Sequence, residues 1–112
     1  MSTLGSIIYP VSDLDAAKKL FGTLLGAEPH TDTPYYVGYN INGLEIALNP
    51  NGHAQGLKGS VPFWTVPDVA AAVAELVAAG ATLTQDTKDV GGGAITAALV
   101  DGDGNAIGLI QG

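Results

Sequence analysis

The chain has no cysteine and no arginine, and only two histidines and one tryptophan among its 112 residues. The first absence excludes disulfides and thiolate metal sites. The second removes the side chain that best grips carboxylates and phosphates, so an anionic small substrate is disfavoured. Charged residues are scarce, 13% in all, and eleven acids against four lysines leave a formal net charge of −7. Nucleic acid is therefore not an expected partner, because neutralising phosphates needs a basic face. A neutral or cationic small molecule suits this balance better, although an acidic surface also serves solubility alone. No apolar run reaches the length of a membrane span, and residues 1–5 carry no basic segment. The expectation is a cytoplasmic protein that meets neither membrane nor nucleic acid.

With 46% apolar residues the chain is globular rather than disordered. Its length allows roughly two-thirds of the unfolded surface to be buried. The most informative stretch is duplicated. Ile7-Ile8-Tyr9-Pro10-Val11-Ser12-Asp13-Leu14 runs into an amphipathic segment ending at Gly26, and Phe63-Trp64-Thr65-Val66-Pro67-Asp68-Val69 runs into an alanine-rich one ending at Gly80. Each aspartate stands where an N-cap accepts hydrogen bonds from the orphan amides of a helix. Two copies of one supersecondary unit are implied.

Within the first copy, Ser6 to Val11 reads as a strand with Pro10 confining it to an edge or a bulge. The helix carries an apolar stripe of Leu14, Ala17, Phe21, Leu24 and Leu25. A short polar strand is expected from Ala27 to Thr33. Two further strands, Tyr35–Ile41 and Leu44–Leu48, flank Asn42-Gly43, the dipeptide of a two-residue hairpin turn. That turn sets Ile41 opposite Leu44, Asn40 opposite Glu45 and Gly38 opposite Ala47. One hairpin face then holds Val37, Tyr39, Ile41, Leu44, Ile46 and Leu48, which should pack on the helix. The other holds Tyr36, Gly38, Asn40, Glu45 and Ala47, small and polar enough to floor a cleft.

The stretch Asn49 to Ser60 is rich in Gly, Asn and Pro, and residues 51–60 read as a linker between a first module over 1–50 and a second over 61–112. In the second copy a strand over Val61–Val66 leads to a helix with Val69, Val73, Leu76 and Val77 buried. A short strand near Ala81–Thr84 follows. Gly91-Gly92-Gly93 precedes a strand rather than a helix, so it is a loop at the cleft mouth and not a phosphate cradle. Asp101-Gly102-Asp103-Gly104-Asn105 starts like a calcium loop, but its twelfth position is Gly112, and a hairpin turn explains it better.

Two βαβββ units, the paired V-x-D-[LV] segments, Leu25-Gly26-Ala27, and Asp101–Asn105 before the last strand together resemble the vicinal oxygen chelate superfamily of glyoxalase I, bleomycin-resistance and extradiol dioxygenase proteins. The resemblance spans essentially the whole chain. It implies an α+β fold in which two modules form a curled mixed sheet around a cleft, and commonly a homodimer. It also implies a divalent metal held by His, Gln or Glu from the first and last strands of each unit. Those places fall here on Ser6, Ala47, Val61 and Gly108. Only one of the four offers an oxygen, a weak neutral ligand, so the family's metal is expected to be absent.

Alternation adds Ser6 and Ile8, then Val61, Phe63 and Thr65, to the cleft lining of Tyr36, Asn40, Glu45, Ala47 and Gly108, and gives Trp64 to the core. Glu45 is the one candidate base or displaced ligand, weighed against a solvated hairpin glutamate. His30 and His53 read as surface histidines. Two loop histidines give no nucleophile–base–acid set. The expected function is metal-free binding of a small aromatic or cationic compound such as an antibiotic. The alternatives are an enzyme of lyase, isomerase or dioxygenase type using Glu45 or non-standard ligands, and a structural or regulatory dimer with a closed cleft.

Overall fold

A computed structural model describes residues 2–54 and 56–112, so Gln55 of the expected linker lies outside the described residues. The strands and helices run β1 (Thr3–Pro10), α1 (Leu14–Leu25), β2 (Thr31–Thr33), β3 (Tyr36–Ile41), β4 (Leu44–Asn49), β5 (Val61–Thr65), α2 (Val69–Ala78), β6 (Thr82–Gly91), β7 (Ala94–Val100) and β8 (Ala106–Gln111). This is βαβββ twice. The chain divides into two compact units, one of Ser6–Val61 and one of Met1–Gly5 with Pro62–Gly112.

In the unit Ser6–Val61 the strands lie in the order β2-β3-β4-β1, with β1 parallel to β4 and the other pairs antiparallel. Asn42 and Gly43, at φ 53° and 89°, make the tight turn that only positive φ allows. They set the register Ile41↔Leu44, Asn40↔Glu45, Gly38↔Ala47. Asp13 caps α1 by accepting the Ala16 N–H at 3.0 Å, and Gly26 closes it in a left-handed conformation at φ 61°. Val37, Tyr39, Ile46 and Leu48 are buried beneath Leu14, Ala17, Phe21 and Leu25 of α1. Phe21 also packs on Tyr9 with ring centroids 4.7 Å apart.

The other unit repeats this plan in the order β5-β8-β7-β6, with β5 parallel to β8. Asp68 caps α2 through the Ala71 N–H at 3.2 Å. Val66, Val69, Ala97, Leu99 and Leu109 form the buried centre, and Trp64, Val73 and Leu76 pack around it.

Several sequence expectations need correction. Leu24 is 73% exposed and Val77 47% exposed. Each flanks the buried stripe of a helix whose inner face is already filled by its neighbours. The strand expected over Ala27–Thr33 shrinks to Thr31–Thr33. The one expected near Ala81–Thr84 extends to Gly91, exposed along its length and paired with β7 through three register shifts. The triple glycine is a hairpin turn: Gly91 pairs with Ala94, and Gly92 and Gly93 sit between them at φ 63° and 82°. Pro10 ends β1 opposite Asn49, where its missing N–H interrupts nothing further along the strand.

The Asp101–Asn105 turn joins β7 to β8. Asp101 accepts from the amides of Asp103 and Asn105 at 2.9 and 2.8 Å and from the Asn105 side chain at 2.8 Å. These bonds, the Asn105 side chain first, hold its carboxyl below the ordinary range. A depressed folded value contributes stability above the unfolded value and loses it as pH falls through the folded one. Asp101→Ala should therefore lower the thermal midpoint at neutral pH, and the gap from the parent should close in acid. A gap that is unchanged down to pH 2, read by circular dichroism, would show that the ionised carboxylate contributes nothing.

Candidate functional site

The hairpin face turned away from α1 is built on small side chains. Gly38 and Ala47 are buried and stand opposite each other across β3 and β4. Ser6 lies beside Glu45 and Ile8 beside Ala47 in the parallel pair of β1 and β4, so all four share this face. Asn40 is exposed beside Glu45, and its side chain turns to the Gly43 N–H at 3.1 Å.

Over this floor the Glu45 carboxylate is held at both oxygens. Its Oε2 accepts the Tyr36 hydroxyl, and its Oε1 lies 2.6 Å from His30 Nε2. The other ring nitrogen of His30 is 2.8 Å from the Thr31 hydroxyl. An ionised carboxylate can only accept, so Nε2 carries the hydrogen, and in the neutral ring Nδ1 accepts from Thr31. The Glu45 side chain is 26% exposed and the His30 side chain 46%. Burial first, then the bond to Glu45, pushes the Tyr36 phenol above the ordinary tyrosine range, so it is a protonated donor at any physiological pH.

Gly38 makes the cluster possible. An added Cβ would lie 2.5 Å from Glu45 Oε2, 2.8 Å from Tyr36 Cε1 and 3.0 Å from His30 Nε2. The three side chains converge on the space that a side chain at 38 would fill.

His30 is exposed, as a surface histidine should be, but its contact with Glu45 was not foreseen from the sequence. Its N–H donates to the Gly38 carbonyl at 2.9 Å, which fixes it beside β3. The Pro34-Tyr35 turn sets the register of β2 but is no signal for His30, because alternation gives the Gly38 face to Thr31 and His30 lies just before the strand. Thr33 faces Tyr36 across this two-residue turn, its hydroxyl accepting from the Tyr35 N–H and donating to the Tyr36 carbonyl. Counting back from the turn sets Thr31 opposite Gly38. His53 is exposed and joins no such cluster among the described residues.

In the other unit, Phe63 pairs with Gly108 and Thr65 with Ile110. The Phe63 ring lies flat over Gly108, where an added Cβ would come within 2.7–2.8 Å of three ring carbons. Thr65 Oγ1 lies equally close to the missing Cβ of Gly5. Val61, the last residue of the unit Ser6–Val61, opens β5 and is 2% exposed. The two repeats superpose in their hydrogen bonding: Val11 N–H donates to Asn49 O at 3.1 Å and Val66 N–H to Ile110 O at 2.9 Å. Ala47 and Gly108, each two residues before the accepting carbonyl, are thus equivalent places.

The metal that the resemblance implies does not fit the side chains at Ser6, Ala47, Val61 and Gly108, which offer a hydroxyl, a methyl, an isopropyl group and a hydrogen. No three His, Asp or Glu side chains among the described residues gather as a metal-holding group.

A fold of two βαβββ repeats with this register has known counterparts. The family model for the Glyoxalase/Bleomycin resistance protein/Dioxygenase superfamily matches residues 3–109, and the chain belongs to that superfamily. Its fold is α+β, of the glyoxalase/bleomycin-resistance type. Similar solved structures include a superfamily member from Vibrio splendidus (TM-score 0.72, 18% identity, 100% of each chain covered). Another is a Legionella pneumophila protein described as an NAD-dependent benzaldehyde dehydrogenase (TM-score 0.77, 14% identity, 95% of this chain and 96% of that one). A third is the Mn(II)-bound glyoxalase of Novosphingobium aromaticivorans (TM-score 0.68, 17% identity, 99% of this chain but 40% of that one). No curated protein matches the sequence. Among the described residues no helix is long and apolar enough to cross a membrane.

Proposed function

We propose that the chain binds a small neutral or cationic organic molecule on the β1–β3–β4 face, without a resident metal, and that Glu45 is its polar anchor. One observation carries this reading: a part-buried carboxylate is fixed by Tyr36 and His30 above a floor of Gly38 and Ala47. Orienting a carboxylate beforehand lowers the ordering cost of binding, and a few placed polar groups on an apolar surface suit a flat organic ligand. An aromatic or cationic compound such as an antibiotic answers to this chemistry, and a cytoplasmic homodimer is the form in which we expect it to be bound.

Native mass spectrometry, on protein purified without chelator and then offered Zn, Ni, Mn and Fe in turn, reads oligomer mass, metal and any retained organic ligand together. An organic adduct on a dimer supports the proposal, and a stoichiometric metal defeats its metal-free part. For a cationic aromatic compound found by screening, Glu45→Gln should weaken binding about tenfold, or ~1.4 kcal/mol, and flatten its salt dependence. Unchanged affinity removes Glu45 from the site.

The contact of His30 with Glu45 favours a second reading, in which the pair moves a proton in a lyase or isomerase reaction. Glyoxalase and methylmalonyl-CoA epimerase structures share the fold. There, Glu45→Gln should abolish turnover at unchanged stability.

A further inference from the structure

The internal repeat shows where the second unit departs from the first. With Asp13 matched to Asp68, Tyr9 corresponds to Trp64, Leu20 to Glu75 and Phe21 to Leu76. In the first unit the Phe21 ring closes on Tyr9. In the second, leucine replaces that ring, and a cavity of about 580 Å³ remains beside α2, lined by Trp64, Pro67, Asp68, Ala72, Glu75 and Leu76 among others. That volume lies in the range of small-molecule sites.

Its chemistry has one sign. The walls are apolar, the charged lining groups are Asp68 and Glu75, and no lysine or histidine borders it. Asp68 stands at the N-cap of α2, where it also accepts the Ala71 N–H, and Glu75 lies further along the helix; both border the same opening. Among the described residues neither is in a salt bridge; the ion-pair contacts are Lys18–Asp32 and His30–Glu45.

We infer that this cavity is a second binding site, separate from the Glu45 cluster, for a lipophilic organic cation. The apolar body sits against Trp64 and Leu76, and the ammonium group lies at the rim between Asp68 and Glu75. A tryptophan face and two carboxylates are complementary to a cation that gives up part of its hydration. Neither group attracts an anion. This inference does not rest on the function proposed for the other unit.

Trp64 is the sole tryptophan, so its fluorescence reports on this cavity alone. The probes are phenethylammonium, 2-phenylethanol and phenylacetate, equal in body and different in charge. At low salt the cation should bind about fivefold more tightly than the alcohol, the yield expected of exposed charge pairs and a cation over a ring, and phenylacetate should not bind. In the double variant Asp68→Asn/Glu75→Gln, which keeps an N-capping side chain, the cation's advantage over the alcohol should shrink to the part the Trp64 ring alone supplies, about twofold. Leu76→Phe, which restores the residue of the first repeat, should abolish binding of the cation and the alcohol. Glu45→Gln should leave the signal unchanged, so failure here and failure at the other site are told apart. Equal affinity for the three probes, or an undiminished cation preference in the double variant, overturns the inference. The double variant decides the matter even if Leu76→Phe does not fold.

Discussion

Replacing Tyr39 with alanine should cost about 3–5 kcal/mol, the range for emptying a buried aromatic site, and so a large part of the roughly 5–15 kcal/mol that holds a domain of this kind folded. Tyr39 is 0% exposed, at the centre of β3, under α1. It does two things at once. The ring fills the gap between sheet and helix, and its hydroxyl donates to the Lys18 carbonyl of α1 at 3.1 Å. Tyr39→Phe keeps the ring and leaves that carbonyl without this donor, so it should cost about 1 kcal/mol. Urea unfolding followed by far-ultraviolet circular dichroism separates the terms. A Tyr39→Ala cost under 1 kcal/mol would mean that the packing of α1 on β3 and β4 is not what holds this unit together.

How far the sequence reached depended on whether the deciding interactions were local. The β3–β4 register followed by arithmetic from Asn42-Gly43, because few dipeptides accept positive φ at both positions, and the turn alone assigns every side chain to its face. Asp13 and Asp68 were equally legible as caps. Matching Ala47 to Gly108 came from aligning the repeats without a gap, and two equivalent strand-to-strand hydrogen bonds give the same match. What escaped was set by partners distant in sequence. His30 reaches Glu45 only because the Pro34-Tyr35 turn lays β2 against β3, and the register of that turn rests on one threonine hydroxyl rather than a strong dipeptide signal. The length of β6 escaped because Thr82–Gly91 is exposed on both sides, so no alternation marks it. Leu24 and Val77 were assigned inward because short helices leave the edge of an apolar stripe undecided. The cavity beside Trp64 was invisible until its counterpart in the first repeat could be seen filled.

Gly38→Ala is the substitution that best isolates the Glu45 cluster, because its expected effects on stability and on binding differ in size. Gly38 does not have positive φ, so alanine meets no backbone strain, and the loss of chain freedom in the unfolded state would by itself favour the variant by some 0.4–1 kcal/mol. Against this stand the three atoms that the new methyl would press on. All belong to the ends of side chains, which can swing aside, so the unit should still fold, at a net cost of about 1–2 kcal/mol for overpacking. The arrangement that swings aside is the proposed anchor. Tyr36 and His30 cannot both keep hold of Glu45 once a methyl occupies the space between them. Binding of a cationic aromatic ligand on this face should therefore fall at least as far as in Glu45→Gln, about tenfold, and the Tyr36 phenol, freed from burial and from Glu45, should titrate closer to the ordinary range. A Gly38→Ala protein more stable than its parent, with unchanged ligand affinity, would show that the three side chains do not converge over Gly38 in solution and would remove the anchor from the proposed function.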